Sequence, residues 1–132
     1  MNLNLLLDTH ALLWWMSSSR NLGRRTLAKL KDPKNHVWIS AVCIWEVSIK
    51  TAIGRLKLDG PFQERIEVEL KQGFRALPVT LAHAFAVDEL PLHHADPFDR
   101  MMIAQARCES LTLVTVDPLM SAYDVRLLDA SE

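Results

Sequence analysis

The stretch LNLLLDTHALLWWM, residues 3–16, decides the fold. Residues 3–7 form a short apolar run that stops at Asp8, and residues 11–16 follow with a helical apolar pattern. A strand that ends on a polar residue and passes at once into a helix opens a layered α/β unit. Short β-favouring segments recur at residues 38–39, 111–116 and 125–128, and helical patterns cover residues 22–30, 41–53, 62–74, 81–90 and 98–108. Gly54, Gly60, Pro78, Pro91, Pro97 and Pro118 punctuate the junctions. Strands alternating with helices predict an α/β architecture with a mainly parallel central sheet. In such sheets the functional crevice lies beyond the carboxyl ends of the strands, so the residues just after each strand carry the most information.

The composition sets outer bounds. At 132 residues, 49% hydrophobic and 23% charged, the chain is sized for one domain, residues 1–132, with a core of its own. Bulk disorder is excluded because apolar residues recur throughout and Gly and Pro are few. The longest apolar stretch, residues 11–16, is far short of the roughly 20 residues of a spanning helix, so no membrane role is expected. No basic leader or small-residue cleavage site precedes the first apolar run, which points to the cytoplasm and to reduced thiols. Cys43 and Cys108 lack metal-site spacing and are read as small core residues, with a disulfide between them left open. Four tryptophans, Trp14, Trp15, Trp38 and Trp45, are read as core, although adjacent Trp14 and Trp15 cannot point the same way. The net charge of −1 hides an asymmetry: residues 1–81 hold 12 Lys/Arg against 7 Asp/Glu, and residues 82–132 hold 3 against 9.

The acids are placed where chemistry would be. Asp8 follows Leu7 and Asp117 follows residues 113–116, so two carboxylates stand where two strands stop. Asp96 and Asp99 open the helix of residues 98–108 and, three positions apart, share one side of it. Each has an alternative reading as helix punctuation. Asp8 can cap the next helix, while Asp96-Pro97 and Asp117-Pro118 have the form of an N-cap followed by Pro; Asp99 then sits where the helix dipole favours an anion. Glu46 interrupts an apolar stripe with Val42, Ile49 and Ile53, so it faces the core or a cleft wall, or else pairs with Lys50 at the solvent margin. Two like charges ~4 Å apart repel by about 4 kcal/mol at an effective dielectric near 20, against the roughly 5 to 15 kcal/mol that holds a domain together. Clustered carboxylates must protonate, spread apart or bind a cation. Oxygen ligands suit Mg²⁺ or Mn²⁺ rather than zinc, and His93 and His94 beside Asp96 are read as loop or hydrogen-bonding residues rather than ligands.

Four segments together carry a resemblance: LLLDTHALLWW (residues 5–15), ISAVCIWEVSIK (39–50), HHADPFDRMMIAQA (93–106) and LVTVD (113–117). In order and spacing they resemble the PIN-domain ribonucleases, and within these the VapC-type toxins of toxin–antitoxin pairs, in the branch with a DPFDR segment. The resemblance spans residues 5–117. It implies a three-layer α/β/α domain whose acids gather at the carboxyl edge of the sheet, bind Mg²⁺ or Mn²⁺ and cleave RNA. Position by position, the four family acids fall on Asp8, Glu46, Asp99 and Asp117, with Asp8, Asp99 and Asp117 as the main metal ligands. Glu46 would bind a second ion or hold water. Asp96 matches an auxiliary acid of the branch, and Thr9 and Thr115 match hydroxyl residues that orient the carboxylates or bound water. The family also implies an RNA substrate, a cognate antitoxin that covers an apolar groove, and a homodimer.

Arg100 and the basic stretch of residues 20–34, with Arg24 and Arg25, are expected to meet RNA phosphates. Two other readings compete. One is a non-catalytic RNA- or protein-binding module that keeps the fold and uses its acids as caps. The other is phosphoryl transfer on a strand-end Asp, which Asp8-Thr9-His10 disfavours because no second Asp stands two residues on.

Overall fold

A computed structural model describes residues 2–93 and 95–132; His94, read above as a loop residue, lies outside them. The elements in chain order are β1 (Asn4–Leu7), α1 (Thr9–Met16), α2 (Arg24–Lys31), β2 (His36–Ser40), α3 (Ala41–Ala52), α4 (Phe62–Lys71), β3 (Arg75–Leu77), α5 (Leu81–Asp88), α6 (Pro97–Cys108), β4 (Thr112–Thr115), a 3₁₀ turn (Pro118–Ala122) and β5 (Leu127–Asp129). The five strands form one sheet in the order β3-β2-β1-β4-β5, and every pairing is parallel. The expected α/β class is what the structure shows.

β1 is the middle strand, and its Leu5, Leu6 and Leu7 are wholly buried, which explains an unbroken apolar run in place of alternation. Leu7 stands beside Ile39 of β2 on one side and Val114 of β4 on the other. The chain leaves β1 towards β2 and β3, then returns through α5 and α6 to β4 on the other flank of β1. β1 and β4 therefore flank the point where strand order reverses, the usual place for a crevice in an open parallel sheet. Met102, Ile103 and Ala104 of α6, wholly buried, lie in the same core as the central strands, as does Cys43 of α3.

Four expectations differ from the structure. β3 was not foreseen: Arg75 and Ala76 are exposed and only Leu77 is buried, so this edge strand has no apolar run to announce it. The last strand begins at Leu127 rather than at residue 125, because Val125 N–H closes a tight turn onto Tyr123. Cys108 is exposed at the end of α6 and only Cys43 is core; both thiols are free. The tryptophans are not a buried set either. Trp14, Trp15 and Trp38 pack half-buried against the core, while Trp45 is 60% exposed. Among the described residues no helix is long and apolar enough to cross a membrane.

The start of α2 is capped from far along the chain. Its N-cap, Gly23, offers no side chain; instead the Glu132 backbone oxygen accepts the N–H groups of Arg25 at 2.8 Å and Thr26 at 3.2 Å, and Gly23 N–H donates to Ala130. A Cβ on Gly23 would stand 2.0 Å from the Glu132 carbonyl carbon. Gly23→Ala should therefore displace the 130–132 segment and cost about 1–2 kcal/mol, the usual worth of a lost cap, lowering the midpoint of thermal unfolding followed by circular dichroism.

Candidate active site at the carboxyl edge of the sheet

Asp8 is the first residue beyond β1. Its N–H still donates to Val114 of β4 at 3.1 Å, and its Oδ1 then accepts Ala11 N–H at 2.8 Å as the N-cap of α1. This residue is only 4% exposed. The Thr115 hydroxyl bonds the Asp8 carboxylate and also accepts Asp117 N–H at 3.1 Å, so one hydroxyl joins the two acids at the strand ends. Asp117 caps the following 3₁₀ turn through Oδ1, and Asp96 caps α6 through Oδ1 onto Phe98 and Asp99 N–H at 2.9 and 3.1 Å. The capping reading was correct for all three, and each cap is made through a single oxygen, so capping and a second role do not exclude one another.

Glu46 resolves its two readings by satisfying both. It is buried with Val42, Cys43 and Val47, and it pairs through Oε2 with the Lys50 ammonium one turn on. Its Oε1 accepts the Thr9 hydroxyl at 2.5 Å, which ties α3 to the first turn of α1. Thr9 and Thr115, singled out in the sequence, thus each bond one of the carboxylates.

Asp8, Glu46, Asp96, Asp99 and Asp117 line one cavity of about 380 Å³, together with Thr9, His10, Trp14, Lys50 and Val116. Burial, and then the charges of Asp96, Asp8, Glu46 and Asp117, push the Asp99 carboxyl up to about 7. Burial also raises the Asp8 carboxyl, against the hydrogen bonds from Thr115 and Ala11 that favour its charged form. Among the described residues no three His, Cys, Asp or Glu side chains stand where they could hold an ion as placed. Confinement thus disfavours the charged forms of Asp8 and Asp99, while Glu46 has the Lys50 ammonium as a partner. The donor chemistry fits a hard divalent cation, because carboxylates and hydroxyls line the cavity and the thiol of Cys43 is held high, at about 12, by burial in the core.

A sequence profile of the PIN domain matches residues 5–126. The chain belongs to the PIN domain family. No curated protein matches the sequence. Among solved structures, this PIN domain is similar to a chain of VapBC2 from Rickettsia felis, solved bound to a DNA fragment from their promoter. That match has a TM-score of 0.73 and 15% identity, over 96% of this chain and 98% of that one. It is similar to a chain of FitAcB from Neisseria gonorrhoeae, with a TM-score of 0.65 and 23% identity over 96% and 97%. A chain of a toxin–antitoxin complex from Klebsiella pneumoniae gives 0.66 and 19% over 97% and 98%. At such identities the likeness is one of fold.

The basic residues fare differently from the acids. The Arg100 guanidinium donates to the carbonyls of Pro91 (2.9 Å), Val87 (3.2 Å) and Leu90 (3.3 Å) and to the Tyr123 hydroxyl (3.3 Å). These bonds clamp the chain leaving α5. Arg24 and Arg25 are exposed at the start of α2, beyond β5 at the same edge of the sheet. Lys50 was read only as a surface partner of Glu46, yet it lines the cavity; the signal was its place one turn from a carboxylate in an apolar stripe.

The raised Asp99 carboxyl gives the PIN domain a distinctive pH response in chelator. An unfolded Asp ionises near 3.9, so the protonated form favours the fold fully below about pH 4, and this contribution is lost as the pH rises through about 7. Urea unfolding in EDTA should show the wild type losing more stability than Asp99→Asn between pH 5 and pH 8, with the variant the more stable at pH 8. Equal pH slopes for the two proteins would contradict the shift.

Proposed function

We propose that this PIN domain is a Mg²⁺- or Mn²⁺-dependent endoribonuclease and the toxin of a toxin–antitoxin pair, working in the cytoplasm. One observation carries the reading: acids from the end of β1, the middle of α3, the start of α6 and the exit of β4 face a single cavity. Acids kept only as caps would have no reason to converge there, and Glu46 caps nothing. Asp8, Asp99 and Asp117 are the proposed ligands, with Asp96 auxiliary. A bound divalent ion supplies positive charge and Lewis acidity for phosphodiester hydrolysis. Thr115 keeps Asp8 and Asp117 in register, while Thr9 keeps Glu46 turned into the cavity, where its carboxylate holds water. Arg24 and Arg25 remain the proposed contacts for RNA phosphates farther along the edge.

The partners proposed are RNA, a second copy of the chain and a cognate antitoxin. The toxin–antitoxin complexes among the structural relatives support the last. So does the apolar surface: Trp45 lines two apolar grooves of about 530 and 650 Å³, and Leu92, which lines the first, is 79% exposed.

Single-stranded RNA should be cut with Mg²⁺ or Mn²⁺ and spared in EDTA, and Asp8→Asn and Asp99→Asn should each lower the rate about 100-fold or more in a gel-based cleavage assay. Rates within about threefold of wild type, roughly 0.65 kcal/mol in the barrier, would remove these residues from the site. Light scattering at micromolar concentration should report a dimer; a monomer would count against the second copy.

A further inference from the structure

An RNA phosphate entering the cavity meets five carboxylates, so it needs a positive protein group at the mouth. Arg100 is engaged elsewhere, and among the described lining residues Lys50 is the one Lys or Arg. Its ammonium pairs with Glu46 Oε2, which uses one of the three N–H donors that an ammonium carries. The two side chains are unequally placed: Glu46 is 5% exposed and Lys50 36%. Glu46 is fixed from the other side by Thr9, so it anchors the ammonium of a lysine that lines the cavity and is partly open to solvent.

An ordinary helix-surface pair four residues apart has both partners in water and lines nothing. Here the carboxylate is buried and both residues border the acid cavity. We infer that Lys50 contacts a phosphate of the bound RNA at the mouth of this cavity, an assignment that rests on the nuclease reading above. Glu46 thereby serves as the counter-ion that places the ammonium, and the ammonium offsets the negative field that the substrate must cross.

The test is binding of single-stranded RNA, followed by fluorescence anisotropy over a series of salt concentrations with Mn²⁺ present. It uses the full chain carrying Asp99→Asn, so that the RNA stays intact. Adding Lys50→Gln should lower the slope of log K against log salt by about 0.7 in magnitude, the signature of one lost phosphate contact on a single strand, and Lys50→Arg should keep it. With Asp99 intact, Lys50→Gln should lower kcat/KM for RNA cleavage about 100-fold without weakening Mn²⁺ binding by calorimetry. An unchanged salt slope overturns the assignment whatever happens to turnover, because a lysine that only steadies Glu46 alters kcat and releases no counter-ions. Failure of the wild type to cut RNA would instead sink the nuclease reading; the slope is read in a variant that does not cut and decides the Lys50 contact separately.

Discussion

Repulsion among like charges held at the end of two neighbouring strands is the constraint on which the rest depends. Parallel pairing of β1 with β4 sets Leu7 beside Val114, and the chain cannot turn out of either strand without bringing Asp8 and Asp117 to the same edge. α3 and α6 then add Glu46, Asp96 and Asp99. The wholly buried Leu5, Leu6, Leu7, Leu113 and Val114 behind the edge each contribute about 1.5–3 kcal/mol of apolar burial, enough to hold strands together that end in mutually repelling groups. The acids answer by different means: Asp99 holds its proton to about 7, and Glu46 takes an ammonium and a hydroxyl as partners.

The fold was legible where a strand carries a β-favouring apolar run and illegible where it does not. The run at Leu5–Leu7 could be read because a strand covered on both faces is apolar at every position, and the sharp stop at Asp8 marked its end. β3 could not, since Arg-Ala-Leu offers no β-favouring run, so the pairing of Trp38 with Arg75 and of Ile39 with Ala76 creates it rather than its own residues. Cys108 and Trp45 mislead for the same reason: side-chain type sets an average burial, and position on the helix sets the actual one.

The acids show a different limit. Taken singly, Asp8, Asp96 and Asp117 are adequately explained as N-caps, and the hydrogen bonds confirm those caps. Local reading stops there because a cap is a contact within three residues, whereas a cavity is a relation among segments up to about a hundred residues apart. The two roles are mechanically linked. An aspartate locked by the backbone of the element it begins has little rotamer freedom left to lose, so the caps pre-order carboxylates that would otherwise swing apart under their own repulsion. Glu46, with no backbone to cap, receives the equivalent restraint from Thr9 and Lys50.

Arg100 and Lys50 show how charge near an acidic site divides by geometry. Arginine's planar fork suits several carbonyls at once, and Arg100 adds a donor to the Val87, Leu90 and Pro91 oxygens, of which Val87 and Pro91 also accept Leu90 and His93 N–H. Arg100 therefore ties the start of α6 to the end of α5. Lysine is a compact charge on a flexible stem, and at position 50 it needs one fixed partner to keep it at the cavity. Glu46 supplies that partner from within the same helix, one turn back, so the geometry survives any small movement of α3 as a body. The two exchanges differ in consequence: an ammonium in place of Arg100 would lose the fork that reaches several oxygens at once, whereas a guanidinium in place of Lys50 would keep the positive charge beside the cavity.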